Sequence, residues 1–368
     1  MSTPTLDDLR RYAVVRSLFA HTTLARAIDK LGFVQADPIR SPARAQDLVL
    51  RHRVKSYRAG DLERRYPQLA LEEDFFVNYG FMPRTLADLM HPRSACKPLT
   101  DLQQQQGAEI LAFVNARGVA RPTEVDAHFQ HGTGRNWFGG LSRVSTQVLD
   151  ALHYRGRLRT AGREGGIRTY ALRAPAPRGL SDVQALDRLI DTCVALYAPL
   201  AAKTLGYLLT LLMRGVPQWK SQRNDALLRI KARLASIKID DITWYWPANE
   251  QPLSSRHSLP DEREARFLAP FDPVVWDRTR FELLWGWAYR FEAYTPAAQR
   301  TMGYYAMPLL LGDQVIGWGN IDATGKQIRV GVGLKQKITQ TVVKRAVESE
   351  LEALGHFLSL PIGKLHFV

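Results

Sequence analysis

Near the start of the chain, apolar residues recur three and four positions apart, the spacing that lines them up on one side of a helix. Leu6, Leu9, Tyr12 and Ala13 mark a helix from Thr5 to Phe19, with Thr5 as its cap and Asp7 and Asp8 in its first turn. Leu24, Ala27, Ile28 and Leu31 mark a second helix from about Thr23, stopped by Gly32. The period then changes. Phe33-Val34-Gln35-Ala36-Asp37 reads as a short extended run, ended by Pro38. Arg40 to Arg65 carries eight basic residues against three acids and reads as a solvated or phosphate-facing helical stretch.

The clearest local order lies between Glu109 and Arg173. Glu109–Ala116 is a predicted helix with Ile110, Leu111, Phe113 and Val114 inward, closed by Gly118. Pro122–Phe129 opens with proline at the first helical position, where its missing N–H is not needed. Ser142–Tyr154 carries Val144, Val148, Leu149 and Leu152 on one face, and Arg157–Leu172 reads as a hairpin about Gly165-Gly166. Three helices followed by a hairpin is the winged helix-turn-helix order, in which the third helix can enter a major groove.

Pro175–Gly179 is a linker signal. Asp182–Tyr197, Thr204–Met213 and Asn224–Ile237 are then helical periods, followed by Asp241–Trp246 as a strand, a degenerate copy of the same order. Similar units about every 75–90 residues suggest tandem duplication. From Phe271 the texture turns to β: Tyr289–Tyr294, Gly303–Leu311, Gln314–Ile321 and Gln327–Val332 read as strands, and Thr339–Leu354 as a closing helix. Gly312-Asp313 reads as a tight hairpin tip, expected to face DNA. The fold class expected is α+β, with tandem winged helix-turn-helix units followed by a mixed, β-rich, barrel-like C-terminal region. Units are placed at 1–98, 99–178, 179–250 and 251–368.

Charge adds a partner to this picture. The formal net charge is +14, and 38 of the 50 basic residues are arginine. Such an excess attracts polyanions, and arginine is the better fork for phosphate oxygens. Codon usage could produce the total, but not so readily the local skew of nine arginines against two acids between Arg135 and Arg178. Arg40, Arg44, Arg135, Arg143, Arg155, Arg157, Arg159 and Arg163 are the candidate DNA contacts. The two cysteines, Cys96 and Cys193, make no Cys-x-x-Cys pair, and no His-Glu-x-x-His occurs, so neither metal nor cofactor is expected. Leu205–Met213 is too short to span a membrane and Arg214 follows it. The first residues read as a helix cap rather than a signal peptide, so a cytoplasmic, nucleoid-associated monomer bound to duplex DNA is expected.

Two segments go beyond pattern. One is Gln35-Ala36-Asp37-Pro38-Ile39. The other is Pro270-Phe271-Asp272-Pro273-Val274-Val275-Trp276-Asp277-Arg278, continued by Arg290-Phe291-Glu292-Ala293-Tyr294 and Gly303-Tyr304-Tyr305. With Phe81-Met82-Pro83-Arg84, the chain resembles the AlkZ/YcaQ-type bacterial DNA glycosylases over residues 7 to 335. The resemblance implies tandem winged helices, removal of bulky alkylpurine adducts including interstrand crosslinks, and Gln35 and Asp37 as the catalytic pair in a Gln-x-Asp variant.

The chemistry agrees with that assignment. A purine alkylated at N7 is cationic, so the leaving base needs no general acid, while the oxocarbenium-like sugar left behind needs a carboxylate and a placed water. Asp37 can supply the charge or accept the proton of water, and Gln35 can hold that water. No lysine stands beside the pair, so no Schiff-base step is suggested. Two departures stand out. Relatives are expected to carry an aromatic-x-His-Glu-Ala segment where this chain has Asp74-Phe75-Phe76-Val77-Asn78. After the hairpin they carry Gly-Arg, then Asp and Lys, where this chain has Gly317-Trp318-Gly319-Asn320-Ile321-Asp322. A winged-helix regulator without chemistry is the alternative; a stable dimer on a palindromic site would mark it.

Overall fold

Chain segments that keep a helical apolar period become helices, and the period breaks where a turn residue or a β-branched run intervenes. The computed structural model describes residues 3–94, 98–135, 139–175, 179–254, 263–335 and 340–367. Two packed units result. Met1–Leu62, Asp191–Leu208 and Leu227–Val368 form one, and Glu63–Ile190 with Leu209–Ala226 the other.

In the second unit, the helices Asp101–Arg117, Pro122–Phe129 and Val144–Tyr154 precede the hairpin of Leu158–Glu164 and Ile167–Leu172. The first helix begins earlier than its apolar residues announce. Thr100 caps it in a box with Gln103, which lets the polar run after Asp101 join the helix. The third begins later: Leu141–Arg143 pairs with Thr133–Arg135 before the helix starts at Val144. Ala120 and Tyr170 exchange two backbone hydrogen bonds of 2.9 Å, an isolated bridge where a third strand would lie beside Ile167–Leu172. Ile110, Val114, Ala120, Val125, Val148, Leu149, Leu152, Leu158 and Tyr170 close one core beneath this wing.

The same strand order appears in the first unit. Leu200–Ala201 pairs with Ile242–Pro247, which pairs in turn with Leu234–Ile239. In both places the earliest strand lies beside the latest, with the middle one outermost. The predicted helix to Ile237 therefore ends at Arg233, because Leu234–Ile239 is taken into the sheet. Asp240 and Asp241 both sit at positive φ, 46° and 62°, as a two-residue hairpin turn requires.

The C-terminal part is a half-barrel of five strands: Ala265–Phe267, Met307–Leu311, Gln314–Asp322, Ile328–Leu334 and Ile362–Phe367. The last pair is parallel, joined by the helix Gln340–Leu358, whose Val343, Val347, Leu351 and Leu354 are buried. Several expectations are corrected here. Tyr289–Tyr294 is not a strand: its side chains brace irregular backbone, as when the Tyr289 hydroxyl donates to the Ala306 carbonyl at 2.7 Å. Arg278–Trp285 is an unforeseen helix, capped by Asp277 and stopped by Gly286. The hairpin tip exists, with Gly312 at φ 58°, but it does not stand free. Trp285 Nε1 donates to the Asp313 carbonyl at 2.9 Å and Arg11 lies 3.4 Å from its carboxylate, which ties the tip into its own unit.

The basic stretch from Arg40 to Arg65 is corrected in its middle. Its helix Ala45–Leu50 is buried on every residue. Arg51 pairs with Glu350, and the fully buried Arg53 grips Asp272 with two hydrogen bonds of 2.8 and 3.0 Å. Those two arginines are matched inside the fold, while Arg40, Lys55, Arg58, Arg64 and Arg65 are exposed.

Candidate active site

Only Val34 and Gln35 hold strand geometry, so Asp37 has already left the extended run. Its Oδ1 accepts the Ile39 N–H at 2.9 Å, the two-residue side-chain turn that aspartate makes readily. Burial pushes the Asp37 carboxyl above the usual carboxylate range, partly opposed by that N–H. Gln35 is 5% exposed, and its Oε1 has no hydrogen-bond partner among the described residues.

A cleft of about 400 Å³ opens nearby, lined by Arg40, Tyr304, Tyr305, Asn320 and Asp322 among others. The Asp37 charge acts on Tyr305, one of the cleft's lining residues. The loop that brings Gly303, Tyr304 and Tyr305 to the cleft is held by Glu292, which sequence reading gave no role. Its carboxylate accepts the N–H groups of Thr301, Met302 and Gly303 and the Thr301 hydroxyl, between 2.8 and 3.1 Å. Burial works against the ionised form, but those donors hold the Glu292 carboxyl down to about 2. Gly303 sits at φ 118°, and a Cβ there would meet Asn320 Oδ1 at 2.3 Å. Asn320 Nδ2 in turn donates to the Met302 carbonyl at 2.5 Å. Tyr304 and Tyr305 are thus carried on a loop fixed at both ends.

The long string beginning at Pro270 turns out to be scaffold. Asp272 holds Arg53; Asp277 caps the helix it precedes; Trp276 stacks on Tyr197 at 4.6 Å. Arg280 is buried and donates to the carbonyls of Pro199, Pro273 and Val274. The Arg278 guanidinium donates to the Pro270 carbonyl at 2.8 Å and lies 4.6 Å over the Tyr289 ring.

The candidate DNA contacts scatter. Arg40 is exposed on the cleft rim, and Arg44 is part-buried at the head of the helix Ala45–Leu50. Arg135, Arg143 and Arg157 are exposed on the second unit, Arg143 lying 3.4 Å from Asp126. Arg155 and Arg159 donate to the backbone carbonyls of Ala151 and Thr160 at 3.1 and 2.9 Å. Arg163 is already engaged: its Nε donates to the buried Glu73 at 2.9 Å.

The departing segment at Asp74 is a buried polar knot in the second unit. Asp74 accepts from His91 Nε2 at 2.7 Å and from Arg93 at 3.2 Å. Burial opposes its charge, yet Arg93 and His91 hold the carboxyl well below its usual range. Burial also pushes His91 down to about 4, so at neutral pH the pair is a hydrogen bond from a neutral ring. Among the described residues no group of three or more His, Cys, Asp or Glu side chains is arranged to hold a metal ion. No described helix is long and apolar enough to cross a membrane.

Winged-helix order followed by a half-barrel, with a half-buried carboxylate at Asp37, defines a mixed α+β protein. The fold is shared with the DNA glycosylase AlkZ of Streptomyces sahachiroi, over 100% of both chains with a TM-score of 0.67 at 14% identity. A model of the AlkZ-like DNA glycosylase family matches residues 28–357, and the chain belongs to that family, an enzyme of the DNA glycosylase class.

Proposed function

We propose that the chain hydrolyses the N-glycosidic bond of N7-alkylated purines, crosslinked ones included, in duplex DNA, with Asp37 and Gln35 as its catalytic pair. The observation that carries this reading is the Asp37 carboxylate, half-buried beside an open cleft, with the open Gln35 acceptor two residues away. In the reaction the C1′–N9 bond breaks and its electron pair passes to the cationic base, which leaves neutral. Asp37 stabilises the positive sugar, and water held by Gln35 attacks C1′ as its proton passes to Asp37. Release of free base from a duplex carrying one 7-methylguanine, followed in a single turnover, tests the reading. Release of no base from that duplex, by protein that binds it, would overturn it.

DNA is engaged mainly through phosphates, by Arg135, Arg143 and Arg157 on the second unit, with Arg40 on the cleft rim. Arg44 adds charge on the first unit, and Arg155 and Arg159 on the second. Arg163 contributes least, because Glu73 neutralises it. Affinity should fall steeply with salt, and log K against log salt should lose roughly 0.9 of slope for each phosphate contact removed. Arg135→Ala, Arg143→Ala and Arg157→Ala together should therefore flatten the slope by about 2 to 3. A titration at four salt concentrations checks this; an unchanged slope removes the second unit from the interface.

A further inference from the structure

Most buried tyrosines in this chain have a hydrogen-bond partner. Tyr289 donates to Ala306, Tyr12 to Glu250, Tyr57 to Asp47 and Tyr66 to Thr160. Tyr305 differs. It is 3% exposed, it lines the cleft, and its hydroxyl has no partner among the described residues. Leaving a buried hydroxyl unmade costs stability, and a fold keeps one open where something else is to be bound. Its place is also fixed from outside, because Glu292 clamps the backbone of Thr301–Gly303 immediately before it.

The geometry points to Tyr305 as a third member of the site, donating its O–H to the water that Asp37 deprotonates. This inference rests on the catalytic reading of Asp37. Three open groups then complete one water. The water donates one hydrogen to Gln35 Oε1 and the other to the free oxygen of Asp37, accepts from the Tyr305 hydroxyl, and keeps a lone pair for C1′. As the water attacks, its proton passes to Asp37 and the phenol keeps its own. The phenol is suited to this, because burial and the nearby Asp37 charge push its ionisation well above the ordinary tyrosine range, so it remains a donor. The other groups acting on it are Tyr289, Arg278 and Tyr304, while Arg40 and Asp322 face the same cleft. Arg278 is turned toward the Pro270 carbonyl and the Tyr289 ring.

Tyr305→Phe isolates the hydroxyl. A structural tyrosine with a partner would lose stability on that change, whereas deleting an unpartnered hydroxyl should leave the melting temperature equal or slightly raised. Single-turnover excision should slow by roughly tenfold, the worth of one hydrogen bond to a reacting group. The pH midpoint of the rate should also move upward, because a donor that favours ionised Asp37 through the water has gone. Tyr289→Phe is the control: it should lower the melting temperature without moving that midpoint. Excision by Tyr305→Phe within twofold of wild type, or slower excision with an unmoved midpoint, overturns the assignment. Should Asp37→Asn also remain active, the failure lies in the catalytic reading beneath it and both fall together.

Discussion

Asp37→Asn is expected to slow single-turnover excision of 7-methylguanine by about a hundred- to a thousandfold, the usual effect of losing one placed charge at a charged transition state. The amide keeps the shape and the Ile39 contact but cannot stabilise the sugar cation or take a proton. Gln35→Ala should lose less, since water can partly place itself. DNA affinity should hold or rise, because a negative charge is removed near phosphate. The rate of the unaltered enzyme should climb with pH through a midpoint above the ordinary aspartate range, following the direction of the Asp37 shift. Stability carries the opposite sign. The folded-state pKa of Asp37 lies above the unfolded one, so ionisation works against folding once pH passes the unfolded value, and fully so above the folded value. Asp37→Asn should thus melt no lower than wild type at neutral pH, and any gain should vanish in acid. Excision surviving within threefold would end the catalytic assignment.

The second large effect is on the fold. Arg53 and Asp272 are both 0% exposed, and Arg53 also donates to the carbonyls of Ser17 and Val49. Asp272→Ala leaves the guanidinium buried without its counter-charge, a change worth about 3–5 kcal/mol where buried pairs have been broken. That is a large share of the roughly 5–15 kcal/mol by which a domain is stable. Urea unfolding should show a much lower midpoint for Asp272→Ala. The double change Arg53→Met with Asp272→Leu should recover most of the loss, since neither charge then remains to be desolvated. A single variant as stable as wild type would mean that the pair is open to water.

Both residues belong to the same lesson about the diagnostic string at Pro270. Its residues are tied into the fold by many contacts. Asp272 and Arg280 satisfy buried groups on distant segments, while Asp277 caps the helix that follows it and Arg278 reaches back to the Pro270 carbonyl. The string identifies the family, yet it builds the frame around the cleft and leaves the chemistry to residues elsewhere.

Features that depend only on neighbours along the chain are legible from its residues alone. Capping residues at Thr5 and Thr100, helical apolar spacing in Val144–Tyr154, and the glycine turn after Glu164 act over a few residues, so they can be read locally. Repeated winged-helix order followed from them. Tertiary structure decided the rest, because burial and pairing depend on segments far apart in the chain. The arginines between Arg40 and Arg65 look like a phosphate-binding face until Glu350 and Asp272, some 300 and 220 residues on, are seen to match two of them. Tyr289–Tyr294 alternates like a strand, but no partner strand runs beside it, and an extended run without a ladder is free to become a brace. Gln35 and Asp37 were legible as residues, yet their placement was not: a turn set by the Ile39 N–H, a loop clamped by Glu292 and an unpartnered Tyr305 hydroxyl come together only when the chain is folded.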